Sequence, residues 1–168
     1  VAADVCAEEG LEVVKLSDKI LAEIGKMMPD WWVPGNPVDM VAGLNFASIP
    51  PIMRLLMESG EIDSLIVLFI GPPRLKHTAK PLTERGLEMR KIWESMTRHF
   101  GTYVNLLADQ MHELGVPLFM VSNFKDEIAD AQNILNEKNI LVHTTIQSAC
   151  RAAAAMANYN EYRNFNSP

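Results

Sequence analysis

The sequence predicts a doubly wound α/β fold, in which helices cover both faces of a parallel sheet. Three runs are apolar without polar alternation: Leu65–Ile70, Pro117–Val121 and Ile140–His143. Runs of this kind suit parallel strands that are buried on both faces. Helical patterns lie between them, and strands that alternate with helices are typical of a doubly wound sheet.

The amino-terminal part is predicted to contain two helices with a strand between them. Ala2–Glu9 is helical and stops at Gly10, a residue type that often follows a helix. Glu12–Leu16 is a short strand. Ser17 then caps a second helix, whose apolar side chains recur with the 3.6-residue period, and Pro29 ends it.

Two more helices are predicted around the later strands. Ile49–Glu58 is helical and stops at Gly60, and another helix lies near Glu127–Glu137. Their positions between apolar runs fit crossover helices of a parallel sheet.

The last helix is expected to begin at Thr144 or Thr145, because Thr144 and Gln147 have the spacing of a capping box. It runs as far as Met156, and the tail from Asn158 onward is expected to fray.

The segment from Thr83 to Leu114 is longer than a simple crossover needs. Large apolar residues, among them Met89, Trp93 and Phe100, form a helical stripe there. We predict a helical insertion, or one long broken helix, near residues 76–114. Core packing is the plain interpretation of the stripe. A helix that docks a partner is the alternative, since exposed apolar patches often mark interfaces.

Composition indicates one domain spanning residues 1–168. The chain is 48% hydrophobic, with a net charge of -6, which argues against a nucleic-acid or anionic-membrane surface. No apolar run approaches the length of a membrane-spanning helix, and the first residues do not have the features of a signal peptide. Cys6 and Cys150 are expected to be buried, reduced thiols, and the expected location is cytoplasmic.

Candidate site residues follow from the sheet, because open parallel sheets bind ligands at the carboxyl ends of their strands. That rule selects the Asn-Pro-Val-Asp turn, the turn at Gly71 and the polar residues after the later strands. Asp39, next to an apolar valine, is expected to be buried. The plain interpretation of its segment is a turn with a capping carboxylate. The candidates are Asn36, Asp39, Gly71, Ser122, Asn123, Thr144 and Thr145.

None of these residues forms a recognised catalytic or metal-binding motif. The chain has no Walker lysine, GxGxxG, GxSxG or HExxH pattern. Its four histidines, His77, His99, His112 and His143, are scattered. We therefore assign no catalytic residue and no metal ligand.

The order of several short segments resembles the NDP-forming acyl-CoA synthetases, relatives of succinyl-CoA synthetase. The resemblance covers nearly the whole chain except roughly Leu75 to His112, and Gly35–Asp39 is its most specific part. The remaining segments are Ala3–Asp4, Glu9–Val13, Leu16–Ser17, Met28–Pro29, Glu61–Val67, Gly115–Leu118 and the final strand and alanine-rich helix.

This resemblance implies a fold, a reaction and a set of neighbouring domains. The family joins an acid to CoA and couples the reaction to a nucleoside triphosphate through a phosphohistidine. It uses a CoA-binding domain, two flavodoxin-like domains and an ATP-grasp domain. The chain resembles only the second flavodoxin-like domain, and the phosphohistidine lies in the other one. The isolated chain is therefore expected to be inactive and to hold no cofactor. CoA, ATP or ADP and Mg²⁺ are expected for the full-length enzyme, with its other domains as partners.

The resemblance also implies an electrostatic role. In the family, a helix N-terminus after the strand that matches Leu65–Ile70 points at the phosphohistidine, where its N–H groups and dipole favour negative charge. In this chain two prolines lie between Gly71 and Arg74 and remove two backbone donors. The Gly71 N–H and the Arg74 side chain are the groups that would face the phosphohistidine. Asn36, Asp39, Ser122 and Asn123 would shape the floor of the site or an interdomain contact.

Family members begin this domain with a strand that would precede Val1 and that is central in the 2-1-3-4-5 strand order. We therefore expect Glu12–Leu16 either to be separated from Leu65–Ile70 by a gap or to pair elsewhere, for example in a homodimer formed across exposed sheet edges.

Two other functions are alternatives to a domain of an acyl-CoA synthetase. One is a non-enzymatic interaction or regulatory module that docks a partner through the long helix from Thr83. The other is a flavin-binding flavodoxin. The second needs a Thr/Ser-rich phosphate loop after the first strand, and the sequence shows none.

Overall fold

A parallel sheet lies at the centre of the computed structural model, which describes residues 1–40, 46–68, 102, 105–122 and 135–166. Within these residues the sheet has three strands in the order β1-β2-β3. They are β1 (Leu65–Leu68), β2 (Leu118–Val121) and β3 (Val142–His143). Val121 is in register with Leu68 on one side and with His143 on the other, so the three strands end at the same edge.

Six helical segments flank the sheet in the described part of the chain. A short 3₁₀ turn, Phe46–Ser48, leads into the third of them. The segments are α1 (Ala2–Glu8), α2 (Asp18–Gly25), α3 (Ile49–Glu58), α4 (residues 105–114), α5 (residues 135–137) and α6 (Ile146–Phe165).

Strand β2 is the central strand of the described sheet, and all four of its residues are buried. Leu118 and Met120 pack with α3 and α4 on one face, whereas Phe119 and Val121 pack with α6 on the other. Burial on both faces explains why this strand has no polar alternation. The prediction of a doubly wound, flavodoxin-like α/β fold is confirmed.

The end of α1 and the start of α2 form as the sequence predicts, whereas α2 ends at Gly25, before the predicted stop at Pro29. The Gly10 N–H donates to Ala7 O and the Leu11 N–H donates to Cys6 O, which is the paired bonding of a Schellman motif. Gly10 has φ +81°, a conformation that favours glycine. At the start of α2, the Ser17 hydroxyl accepts a hydrogen bond from the Ile20 N–H.

The prediction of a strand at Glu12–Leu16 is wrong, since these residues belong to no strand. Val14 and Leu16 nevertheless pack with α2 and α3, while Val13 packs on the opposite side with α1 and α6. The segment therefore lies in the layer of the sheet without joining it. Strand assignment requires ladder hydrogen bonds to a neighbour, and the described sheet ends at β1. Of the two expected arrangements, the structure agrees with separation from β1.

The last helix begins at Thr145, one of the two predicted starts, and ends later than predicted. Thr145 is its N-cap, and its hydroxyl oxygen accepts from the Ser148 N–H at 3.1 Å, so Thr144 and Gln147 do not form the cap. The helix continues through the tail that was expected to fray, because no glycine or proline interrupts it before Asn166.

Most of the predicted insertion at residues 76–114, including Met89, Trp93 and Phe100, lies outside the described residues. Its carboxyl-terminal end forms α4, in which Leu107 and Ala108 are fully buried against the sheet. This part of the segment is a sheet-covering helix, as the core-packing interpretation expects. Within the described residues, no helix combines the length and apolar composition that crossing a membrane requires.

Candidate functional site

The predicted site residues Ser122, Thr144 and Thr145 lie at the carboxyl edge of the sheet. Ser122 follows β2 directly, and its N–H donates to the carbonyl oxygen of His143 at 2.9 Å. Ser122 is 1% exposed. Thr144 and Thr145 follow β3, the strand that pairs with β2. The end of the sheet thus carries small polar residues, of which Ser122 is buried and the two threonines are exposed.

His143 ends β3 as predicted. Its ring lies 6.2 Å from the ring of Phe119, centroid to centroid, in a tilted arrangement. Burial lowers the pKa of His143 below its ordinary value of 6.5, because the partly buried site disfavours the imidazolium. The ring is therefore neutral at pH 7.

Asn36 lies in the Asn-Pro-Val-Asp segment, and its side chain is hydrogen-bonded to the main chain of Val14. Its side-chain amide donates to the main-chain oxygen of Val14 at 3.0 Å. The peptide bond between Asn36 and Pro37 is cis. This contact joins the Asn-Pro-Val-Asp segment to the extended segment after α1, 22 residues earlier in the sequence.

Asp39 is exposed, so the expectation of a buried acid is wrong. Its main-chain oxygen accepts a hydrogen bond from the indole N–H of Trp32 at 3.1 Å. Trp32 is buried, whereas its neighbour Trp31 is 61% exposed. The backbone of Asp39 is therefore held against the core, and its carboxylate is left at the surface.

The Ser17–Glu61 contact was missed by reasoning from the sequence. The Glu61 carboxylate accepts from the Ser17 N–H at 2.8 Å and from the Ser17 hydroxyl at 2.6 Å. These two bonds hold the pKa of Glu61 below its ordinary value of 4.5. The bond from the Ser17 hydroxyl has the larger effect, and the bond from the Ser17 N–H has the next largest. Since 44 residues separate the partners, no local spacing could have indicated the pair.

The remaining predicted site residues, Gly71, Arg74 and Asn123, lie outside the described residues, as do His77 and His99. The structure therefore leaves the proposed backbone anion site after β1 undescribed. In the described part of the chain, no cluster of three His, Cys, Asp or Glu side chains is placed to hold a metal ion.

A cavity of about 400 Å³ lies at the other end of β2, between α4 and α6. His112 stands at its wall, with its Nε2 3.1 Å from the carbonyl oxygen of Lys138. The cavity is mainly apolar, and sequence reasoning did not identify it. Its lining includes Met111, His112, Leu118, Phe119, Leu141, His143 and Met156.

Comparison with known proteins shows a shared fold. No family model and none of the curated proteins matches the chain. Its structure is similar to the crystal structure of PH0766 from Pyrococcus horikoshii OT3, with a TM-score of 0.67 and 19% sequence identity. The similarity covers 92% of this chain and 31% of PH0766, so the chain spans about a third of that protein's length.

Proposed function

We propose that this chain is a domain of an NDP-forming acyl-CoA synthetase and that it helps to enclose a phosphohistidine carried by another domain. The observation that carries the proposal is the fold shared with one part of the larger protein PH0766, over 92% of this chain. That fold is the one implied by the family resemblance, which is most specific at Gly35–Asp39.

Asn36 and Asp39 have different roles in this proposal. The Asn36 amide is used to hold Val14, so it fixes the shape of the segment. The Asp39 carboxylate is exposed, and the main-chain oxygen of Asp39 is held by Trp32. In the proposal this carboxylate contacts a neighbouring domain. Because the backbone is already held, binding would restrict only the side chain.

The strand ends supply the second part of the surface. Ser122 and Thr145 lie at the edge where parallel sheets bind ligands. In the proposal the exposed Thr145 contacts the other domain, and Ser122, which is buried, supports this floor from beneath. CoA, the nucleotide and Mg²⁺ would be held by the remaining domains of the synthetase, and this chain would contribute no catalytic group of its own.

The interdomain contact can be tested by calorimetric titration. The chain is titrated with a fragment that contains the CoA-binding and histidine-bearing domains of an NDP-forming acyl-CoA synthetase. We expect saturable one-to-one binding that is weakened about tenfold by Asp39→Lys, since an interfacial charge is reversed.

Asp63→Lys is the matched control, because Asp63 is an exposed acid in the loop before β1, outside the proposed contact. It should leave the affinity unchanged. No binding at about 100 µM, or equal weakening by the two variants, would contradict the proposal.

A further inference from the structure

Trp31 and Val33 lie exposed on either side of a buried tryptophan. Trp31 is 61% and Val33 is 80% exposed, whereas Trp32 between them is 8% exposed. Pro34 continues the exposed run. Single apolar side chains on a surface are ordinary, but Trp31, Val33 and Pro34 are close neighbours, and we call them the Trp31 patch. Tryptophan is among the residues that are enriched at protein interfaces.

The backbone that carries the Trp31 patch is held by the core. The Trp32 N–H donates to Pro29 O at 2.9 Å, which closes a turn around Trp31. The Trp32 side chain packs in the same core cluster as Ile20 and Ile24 of α2. Trp31 is therefore presented on a backbone that is already held, so binding would restrict only its side chain.

Two carboxylates accompany the Trp31 patch. Asp30 directly precedes Trp31 and is exposed. Asp39 is also exposed, and its main-chain oxygen accepts the indole N–H of Trp32 at 3.1 Å, which places it beside the patch. Within the part of the chain that the structure describes, neither carboxylate is ion-paired. An exposed indole with unpaired carboxylates beside it favours a cation, because a carboxylate and the face of an indole ring both attract positive charge.

We propose that the Trp31 patch is the anchor of the interdomain contact and that it receives an arginine side chain from the neighbouring synthetase domain. This assignment rests on the proposed function, since it names the chemistry of the contact in which Asp39 takes part. A guanidinium stacks on an indole face and also donates paired hydrogen bonds to a carboxylate, which the ammonium group of lysine does less well. Val33 and Pro34 contribute apolar surface to the same contact.

The charges beside the Trp31 patch disfavour a second copy of this chain as the occupant. In a twofold contact the same surface meets itself. Asp30 and Asp39 of one copy would then face the same carboxylates of the other, and like charges across an interface are unfavourable. The same acids, in a chain of net charge -6, disfavour a phosphate-bearing surface. A basic protein surface is the partner that complements the patch.

Calorimetric titration with the fragment that contains the CoA-binding and histidine-bearing domains of an NDP-forming acyl-CoA synthetase tests the anchor. Trp31→Ala should weaken binding about thirtyfold, because buried tryptophans are among the residues that dominate interfaces. Tyr159→Ala is the matched control, since Tyr159 is 63% exposed but lies on α6, outside the patch, and it should leave the affinity unchanged. Both side chains are exposed, so thermal unfolding should be nearly the same in the two variants. Equal weakening by Trp31→Ala and Tyr159→Ala would contradict an anchor at Trp31.

The variants Trp31→Phe and Trp31→Leu test the arginine in the same titration. Both keep an apolar side chain, but only phenylalanine keeps an aromatic face. The leucine variant should therefore bind at least about threefold more weakly than the phenylalanine variant. Equal affinities of these two variants, or wild-type affinity of Trp31→Ala while Asp39→Lys is weakened, would overturn this assignment and leave the proposed function standing. No binding by the wild-type chain would contradict the proposed function, and the arginine contact with it.

Discussion

The side-chain amide of Asn36 donates a 3.0 Å hydrogen bond to the main-chain oxygen of Val14. Val14 packs with α2 and α3, so the contact connects the surface segment Gly35–Asp39 to one of the core clusters. The most distinctive stretch of the sequence is therefore an anchor for the chain around it.

Replacing Asn36 with alanine should destabilise the protein. The variant loses one hydrogen bond at an exposed site, so the free energy of unfolding should fall by about 0.5–1.5 kcal/mol. Urea denaturation measures the change. Asp39→Asn is the control, because the hydrogen bond of Asp39 with Trp32 uses its main chain. Equal stability of Asn36→Ala and wild type would show that the contact contributes nothing.

The Ser17–Glu61 contact predicts a pH dependence. Because the folded-state pKa of Glu61 is held below its ordinary value of 4.5, the carboxylate stabilises the fold above pH 4.5. That contribution is lost as the pH falls through the lowered pKa. Glu61→Gln should therefore be less stable than wild type at pH 7, and the difference should shrink in acid.

Unfolding free energies at a series of pH values between 7 and 3 would measure this difference for Glu61→Gln. Glu8→Gln, a change at an exposed carboxylate of α1, serves as the comparison. A difference between Glu61→Gln and wild type that stays constant or grows in acid would contradict the assignment.

The two thiols should be unreactive in the folded protein. The sulfur atoms of Cys6 and Cys150 lie 3.5 Å apart in the core, between α1 and α6. Burial, aided by the contact with Cys6, raises the pKa of Cys150 to about 12. Since the thiolate is the reactive form, alkylation at pH 8 should be slow until guanidinium unfolds the chain. Rapid labelling of both residues under native conditions would disprove this packing.

Two adjacent leucines in α4 should respond very differently to truncation. Leu107 is fully buried, whereas Leu106 is 44% exposed. Leu107→Ala should cost about 2–5 kcal/mol through lost contacts and a cavity. Leu106→Ala should cost less than about 1 kcal/mol. Thermal and urea unfolding compare the two. Similar losses would mean that α4 does not cover the sheet as described.

The sheet could be predicted from the sequence because burial on both faces leaves a direct signal. Residues 65–68 and 118–121 are continuously apolar, and both form parallel strands. The Ser17 cap could also be predicted, because its partner Ile20 is only three residues away. Such features depend on local pattern.

The features that sequence reasoning missed depend on long-range contacts. Glu61 is far from Ser17 in sequence, and the exposure of Asp39 follows from how Trp32 holds its backbone. The strand prediction for Glu12–Leu16 failed because a strand also needs a neighbour. For the candidate site, the sequence indicated the polar edge at Ser122, but it gave no sign of the cavity beside α6.

Thioester formation is the reaction that a domain of an acyl-CoA synthetase must support. The purified chain is incubated with CoA, ATP, Mg²⁺ and a panel of short carboxylic acids, with and without the remaining domains of an NDP-forming acyl-CoA synthetase. Acyl-CoA is then quantified by mass spectrometry. We expect no product from the chain alone and acyl-CoA formation when the other domains are supplied. Turnover by the isolated chain, or no greater formation with this chain than with the other domains alone, would contradict it.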